Sequence, residues 1–236
     1  MAQSRDLLNS LVLVLPLMLV YQAGLFLTRG ATLNGADLVS VMILRRWGWD
    51  GLLVLNGVLI VAGLVGVVVL REKRRFDPAI VVPVAIESTL YALLLGIVVT
   101  QVMARIGLRP AAIEAFVPLA SGDGLPGGVL ARLCLALGAG VNEELVFRLG
   151  MLTGFMAAFR KGGLERGAAV AAAVLVSSVL FSLAHYLGPE PFALYTFVYR
   201  TLAGAIFCLL FAGRGLAVAV YTHAIYDVLV MIVFAR

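Results

Sequence analysis

Charge is scarce in this chain. Only 13% of its 236 residues are Asp, Glu, Lys or Arg, about half the share found in soluble domains, which excludes an ordinary water-soluble fold. Histidine occurs twice, as His185 and His223, so imidazole chemistry has only these two groups to use. The two cysteines, Cys134 and Cys208, fall inside apolar runs without CxxC spacing. They read as small buried hydrophobes and say little about redox compartment. No His-Glu-x-x-His helix is present, the most specific zinc-protease pattern. No serine or cysteine stands with a base at motif-like spacing, which argues against a covalent acyl-enzyme. No internal repeat is evident, which counts against many secondary-transporter folds.

What is abundant is apolar surface. Hydrophobic residues make up 62% of the chain and its mean hydropathy is +1.06. Apolar runs of about 20 residues mark spanning helices. They predict an all-α fold, a polytopic membrane helical bundle of about seven transmembrane helices, at about 7–28, 51–70, 79–104, 127–158, 167–187, 192–212 and 215–235. Residues 31–50, with Arg45, Arg46, Trp47 and Trp49, predict a short interfacial helix with an aromatic anchor. Residues 106–126 predict a loop, with a short amphipathic piece at 111–117. The whole of 1–236 is expected to be a single integral membrane domain, with a motif-bearing half at 127–236 and supporting helices in 1–126.

The net charge of +5 comes mostly from arginines between the apolar runs. Such loops set orientation and contact anionic lipid; they do not imply nucleic-acid binding. Arg71 to Arg75, Arg160, Lys161, Arg166 and Arg214 fall on one side if helices alternate. The positive-inside rule makes that side cytoplasmic, with the N-terminus inside.

Against this background one segment stands out, Asn142-Glu143-Glu144-Leu145-Val146-Phe147-Arg148. A charged side chain near the centre of a membrane helix costs roughly 2.5–3.5 kcal/mol on insertion scales, so three of them unpaired would cost on the order of 7–10 kcal/mol. Such groups must pair, line water or do chemistry. Glu144 and Arg148 are four apart on one helix face, so they can form an ion pair. Glu143 is rotated by about 100° and can face a cavity. A carboxylate desolvated beside a like charge is suited to act as a general base toward water. The plainer alternative is an ion-pair cluster that only locks helices together.

Two further groupings lie downstream. Phe181 and His185 sit one turn apart, so the ring can shield the site while the imidazole points inward. His223 and Asp227 share a face at i, i+4; Asp227 either fixes the tautomer of His223 or offers a hydrogen bond of its own. Intramembrane Glu, His and Asp also make proton relays, so a proton-coupled transporter or channel is the first rival reading. A non-catalytic immunity or scaffold protein is the second. Glu87 reads as a cavity-lining group or a partner of Arg132 or Arg200. Arg200 is also a candidate for a substrate carboxylate, and Tyr186 reads as an interface aromatic.

The order Glu-Glu-x-x-x-Arg, Phe-x-x-x-His, His-x-x-x-Asn/Asp resembles the CAAX prenyl protease and bacteriocin-processing (CPBP, or Abi) family of intramembrane proteases. The matching residues are Glu143, Glu144 and Arg148, then Phe181 and His185, then His223 and Asp227. Many members have Asn at the last position. The resemblance implies hydrolysis of a peptide bond at or within the bilayer of a membrane-anchored or amphipathic protein or peptide. It implies that Glu143 activates water with His185 as its partner. It also implies that His223 and Asp227 stabilise the oxyanion and that Glu144, Arg148 and Phe181 support them. Members are commonly labelled metalloproteases, yet a metal-free glutamate mechanism is also argued for them. If zinc binds, His185, His223 and Glu143 or Glu144 would hold it; the preferred expectation is water activated without metal. The expected location is a bacterial inner (cytoplasmic) membrane.

Overall fold

The computed structural model describes residues 6–27, 38–108, 128–187 and 190–234. Every described regular element is helical, as a chain with no water around its backbone requires. The order is α1 (Leu7–Leu27), α2 (Leu38–Arg71), a short 3-10 turn (Pro78–Ile80) leading into α3 (Val81–Arg105), and α4 (Val129–Gly138). α4 runs without interruption into a π-helical stretch (Ala139–Leu152) and α5 (Thr153–Lys161). Then come α6 (Arg166–Ala184), extended by the 3-10 turn His185–Leu187, α7 (Leu194–Arg214), and α8 (Leu216–Val228) with a π-helical end (Leu229–Val233).

Six helices among the described residues are long and apolar enough to cross a membrane. The seventh rod, Val129–Lys161, is the one that holds Glu143, Glu144 and Arg148. The chain is an integral, multi-pass helical membrane protein. The expected fourth span at 127–158 is this rod, displaced by two to three residues at each end.

The described part of the short helix expected at 31–50 is helical and forms the first part of α2. Gly48, at φ 65° and ψ −158°, is non-helical and separates it by a kink from the span beyond. Trp47 beside the bend is exposed, which agrees with an aromatic at the membrane boundary. The amphipathic piece expected at 111–117 lies outside the described residues.

Burial divides the helices by role. α8 is central and packs against α1, α3, α4, α7 and the π-helical stretch; Leu216 to Val220 are buried on every side. α2 is peripheral. Its Val54, Val58, Val61, Val65 and Val68 are more than half exposed. Such a stripe would drive aggregation in water and is the ordinary condition of a helix in lipid.

One end of the bundle is tied by polar contacts. Asp6 accepts from the amides of Leu8 at 2.8 Å and Asn9 at 3.3 Å, capping α1, and also pairs with Arg74. The Asp77 amide donates to Asn9 at 3.2 Å. Glu87 is held by Arg214 through two hydrogen bonds of 2.5 Å, and the Tyr91 hydroxyl donates to it at 2.8 Å. The expected partners of Glu87, Arg132 and Arg200, are therefore wrong. Arg214 sits at the end of α7, the same end of the bundle as the start of α3. Ion pairing at the rim costs less desolvation than pairing at mid-membrane.

α7 turns into α8 at a single residue. Gly215 takes φ 93° and ψ 176°, a conformation open to glycine and costly to others. The rod carrying the glutamates comes unusually close to α8. A Cβ built on Gly140 would stand 2.7 Å from the Ala224 Cβ and 2.8 Å from its backbone nitrogen. Neither rod can yield without moving the residue beside His223. Gly140→Ala should therefore cost about 1–3 kcal/mol as overpacking, read as a lower thermal midpoint in detergent. Gly154→Ala, where a Cβ meets nothing within 4 Å, should leave the midpoint unchanged.

Candidate active site

The π-helical stretch brings the first group into place. Its wider turns reduce the angle between neighbouring residues below the α-helical 100°. Glu143 and Glu144 can thus both face the interior, and both are buried along with Arg148. Ser177 on α6 donates to the Phe147 carbonyl at 2.8 Å, which fixes the stretch against its neighbour and occupies one backbone acceptor.

Arg148 is held on three sides. Its Nη1 lies 3.1 Å from Glu144 Oε1, the i, i+4 ion pair expected from the sequence. Its Nη2 donates to the Gly204 carbonyl at 3.4 Å. Its guanidinium sits 4.4 Å from the centre of the Phe181 ring and 5.1 Å from that of Phe207. Weakly hydrated guanidinium between aromatic faces is a favourable way to bury a cation.

Glu144 has a second partner that sequence reasoning missed. His223 Nδ1 lies 2.7 Å from Glu144 Oε1. The carboxylate accepts, so Nδ1 carries the hydrogen and Glu144 sets the tautomer of His223. Asp227 does not take that role: its Oδ2 lies 3.7 Å from the other nitrogen, Nε2. Glu143 Oε2 lies 3.8 Å from the same Nε2. His223 is further stacked on Phe207, centroids 4.5 Å apart and planes 16° apart. Glu143, Asp227 and His223 Nε2 thus face one another across short gaps, while Glu144 and Phe207 hold the imidazole from behind.

Phe181 links the second histidine to this cluster. Its ring contacts His185 at 5.1 Å and His223 at 6.0 Å, both nearly edge-on, and Phe147 at 5.3 Å. His185 caps the end of α6, where its Nδ1 lies 3.0 Å from the Phe181 carbonyl. A carbonyl only accepts, so Nδ1 donates and the lone pair of neutral His185 is at Nε2. The seven residues singled out in the sequence, Glu143, Glu144, Arg148, Phe181, His185, His223 and Asp227, lie on three neighbouring rods, and the Phe181 ring contacts Arg148, His185 and His223 among them.

Among the described residues, no group of three His, Cys, Asp or Glu is disposed to hold a metal ion. The Nδ1 atoms of both histidines are engaged, and the Phe181 ring contacts both imidazoles. Arg200 pairs elsewhere than with Glu87. It makes two hydrogen bonds to Glu190, at 2.8 and 2.9 Å, and stacks 5.6 Å from the Tyr186 ring. Arg132 donates to the Met231 carbonyl at 3.4 Å. Tyr186 bonds to Thr196 Oγ1 at 2.6 Å and the Ala193 carbonyl at 3.1 Å, so it organises the α6–α7 connection.

Phe207 escaped the sequence reading because a phenylalanine in an apolar helix carries no distinguishing pattern. Tyr199 and Tyr226, whose hydroxyls are 2.5 Å apart, escaped it because 27 residues separate them on different rods.

Residues 126–229 match the family model described as Rce1-like, type II CAAX prenyl endopeptidase. The matched stretch contains all three motifs, and in it this chain is similar to the CPBP family. No curated protein and no solved structure matches the chain.

Proposed function

We propose that this chain is an intramembrane endopeptidase that hydrolyses a peptide bond of a membrane-anchored or amphipathic substrate, using water activated by Glu143. The observation that carries the reading is the facing of Glu143, His223 Nε2 and Asp227 across gaps of 3.7 to 3.8 Å, buried inside an apolar bundle. The family match supports proteolysis; the division of roles is our own reading.

Glu143 takes a proton from water as the water oxygen attacks the scissile carbonyl carbon. His185 accepts the second water hydrogen at Nε2 and so orients the nucleophile. The carbonyl oxygen becomes an oxyanion, stabilised by hydrogen bonds from His223 Nε2 and from Asp227 when each carries its proton. Glu143 then returns its proton to the leaving amine, and the C–N bond breaks. Glu144 and Arg148 touch no reacting atom; they hold His223 in register.

An apolar cavity of about 300 Å³ between α3 and the end of α8 is lined by Ala92, Gly96, Ile97, Tyr226, Leu229 and Phe234. Its lining residue Tyr226 is next to Asp227 in the chain. The cavity suits the apolar part of a substrate arriving sideways from lipid. The processing of a C-terminal tail and the maturation of a peptide both fit this chemistry, and a bacterial inner membrane is the setting proposed for it.

The mechanism runs without metal. Pure protein should contain well under one zinc per chain and should retain cleavage in chelator. Stoichiometric zinc whose removal abolishes cleavage would overturn this. The proteolytic reading itself is tested by assaying reconstituted protein for both peptide cleavage and proton flux. Cleavage lost with Glu143→Gln is expected; flux altered by the same change, without cleavage in the parent, would favour a transporter.

A further inference from the structure

Arg200 and Glu190 form a second charged site beside the catalytic cluster. Arg200 stands on the second turn of α7 and is 7% exposed. Its two terminal nitrogens bond to the two oxygens of Glu190. Glu190 lies on the irregular connection before α7, and its side chain is 35% exposed. The cation is thus rigid and buried, whereas its carboxylate partner reaches in from the surface. The Nε of Arg200 is buried with no hydrogen-bond acceptor, although buried donors are nearly always satisfied. The guanidinium faces the ring of Tyr186, the residue that follows His185. Tyr186 forms a wall of the site, fixed by its own hydroxyl contacts to Thr196 and Ala193.

We propose that Arg200 anchors a carboxylate of the substrate, and that Glu190 occupies the anchor until that carboxylate displaces it. This rests on the peptidase reading and adds a specificity residue to it. The fork of a guanidinium matches any carboxylate in two-pronged fashion. The exchange replaces one such pair by another, so no buried charge is left alone at either stage. The incoming carboxylate belongs either to the C-terminus of the peptide or to an acidic side chain near the cut. Because the anchor is on a rigid helix, it fixes the distance between that carboxylate and the bond that is cleaved. Glu190 makes the empty site selective: a neutral peptide end cannot replace it without leaving Arg200 buried and unpaired.

The test measures binding, using full-length protein carrying Glu143→Gln so that turnover plays no part. The probes are three fluorescent, acyl-anchored apolar peptides in nanodiscs. One ends in a free carboxylate, one in a C-terminal amide, and one in an amide with glutamate as its last residue. The free acid should bind roughly ten- to hundredfold tighter than the plain amide, the range for hydrogen bonds to a charged group. Arg200→Gln should erase that advantage, and Arg200→Lys should keep only part of it. Glu190→Gln, a change at a partly exposed residue, should tighten binding of the free acid and not of the amide. Tight binding of the glutamate-bearing amide identifies a side chain as the source; weak binding identifies the C-terminus. Equal binding of acid and amide to the Glu190→Gln protein, an advantage surviving Arg200→Gln, or no binding by any probe overturns the proposal. A parent protein that binds the acid as expected but never cleaves it contradicts the peptidase reading and leaves the anchor standing.

Discussion

Glu143→Gln should lower kcat/KM for peptide cleavage by about 10²–10⁴-fold, the usual contribution of general acid–base catalysis, without lowering the thermal midpoint. Gln has the shape of Glu and cannot take a proton from water. The stability side of this expectation follows from the geometry. Glu143 shares its interior with two further carboxyl groups, Glu144 and Asp227, and with the Arg148 guanidinium and the His223 imidazole. Making one of the three neutral removes like-charge repulsion from a region with little water. A substitution that destroys activity while leaving stability equal or higher separates a chemical role from a structural one. If the same variant unfolded with its activity, Glu143 would be a packing residue.

Arg148→Ala should behave in the opposite way and lose stability first. The side chain is completely buried, and its removal strands Glu144 with only His223 as a partner. Breaking a buried charge pair from one side costs roughly 3–5 kcal/mol, mostly because the surviving charge is left uncompensated. The two ring contacts to Phe181 and Phe207 are lost as well. Arg148→Lys keeps the charge but not the planar stack, and should fall between parent and alanine. Glu144→Gln in the Arg148→Ala background should recover part of the loss, and the double-mutant cycle gives the coupling. Thermal unfolding in detergent measures the parent, Arg148→Ala, Arg148→Lys, Glu144→Gln and the double variant. Parent-like stability of Arg148→Ala would contradict the three-sided clamp.

What the sequence made legible, and what it did not, divides by distance along the chain. The spanning helices are read from apolar runs because lipid rewards nothing else. The Glu144–Arg148 pair is read because helical geometry alone sets i, i+4 neighbours. The bond between Glu144 and His223 spans 79 positions and depends on how α8 docks, which no local pattern encodes. Glu87 was joined to the wrong arginines for the same reason: several cations were available, and only packing selects Arg214. The short helix in the described part of 31–50 was legible because charges and tryptophans interrupt the apolar run there, and the non-helical Gly48 separates it from the span beyond. The π-helical turns around Glu143 are an accommodation to packing, and they leave no signature that separates them from an ordinary helix.

The central claim, that these buried acids and imidazoles cut peptide bonds, is tested most directly in the cell that makes the protein. Membrane proteins are compared by quantitative mass spectrometry of their termini in three strains: parent, deletion, and Glu143→Gln at normal abundance. The account expects one set of proteins to keep an extra segment in both altered strains and to lose it in the parent. Termini in the Glu143→Gln strain indistinguishable from those of the parent would contradict it.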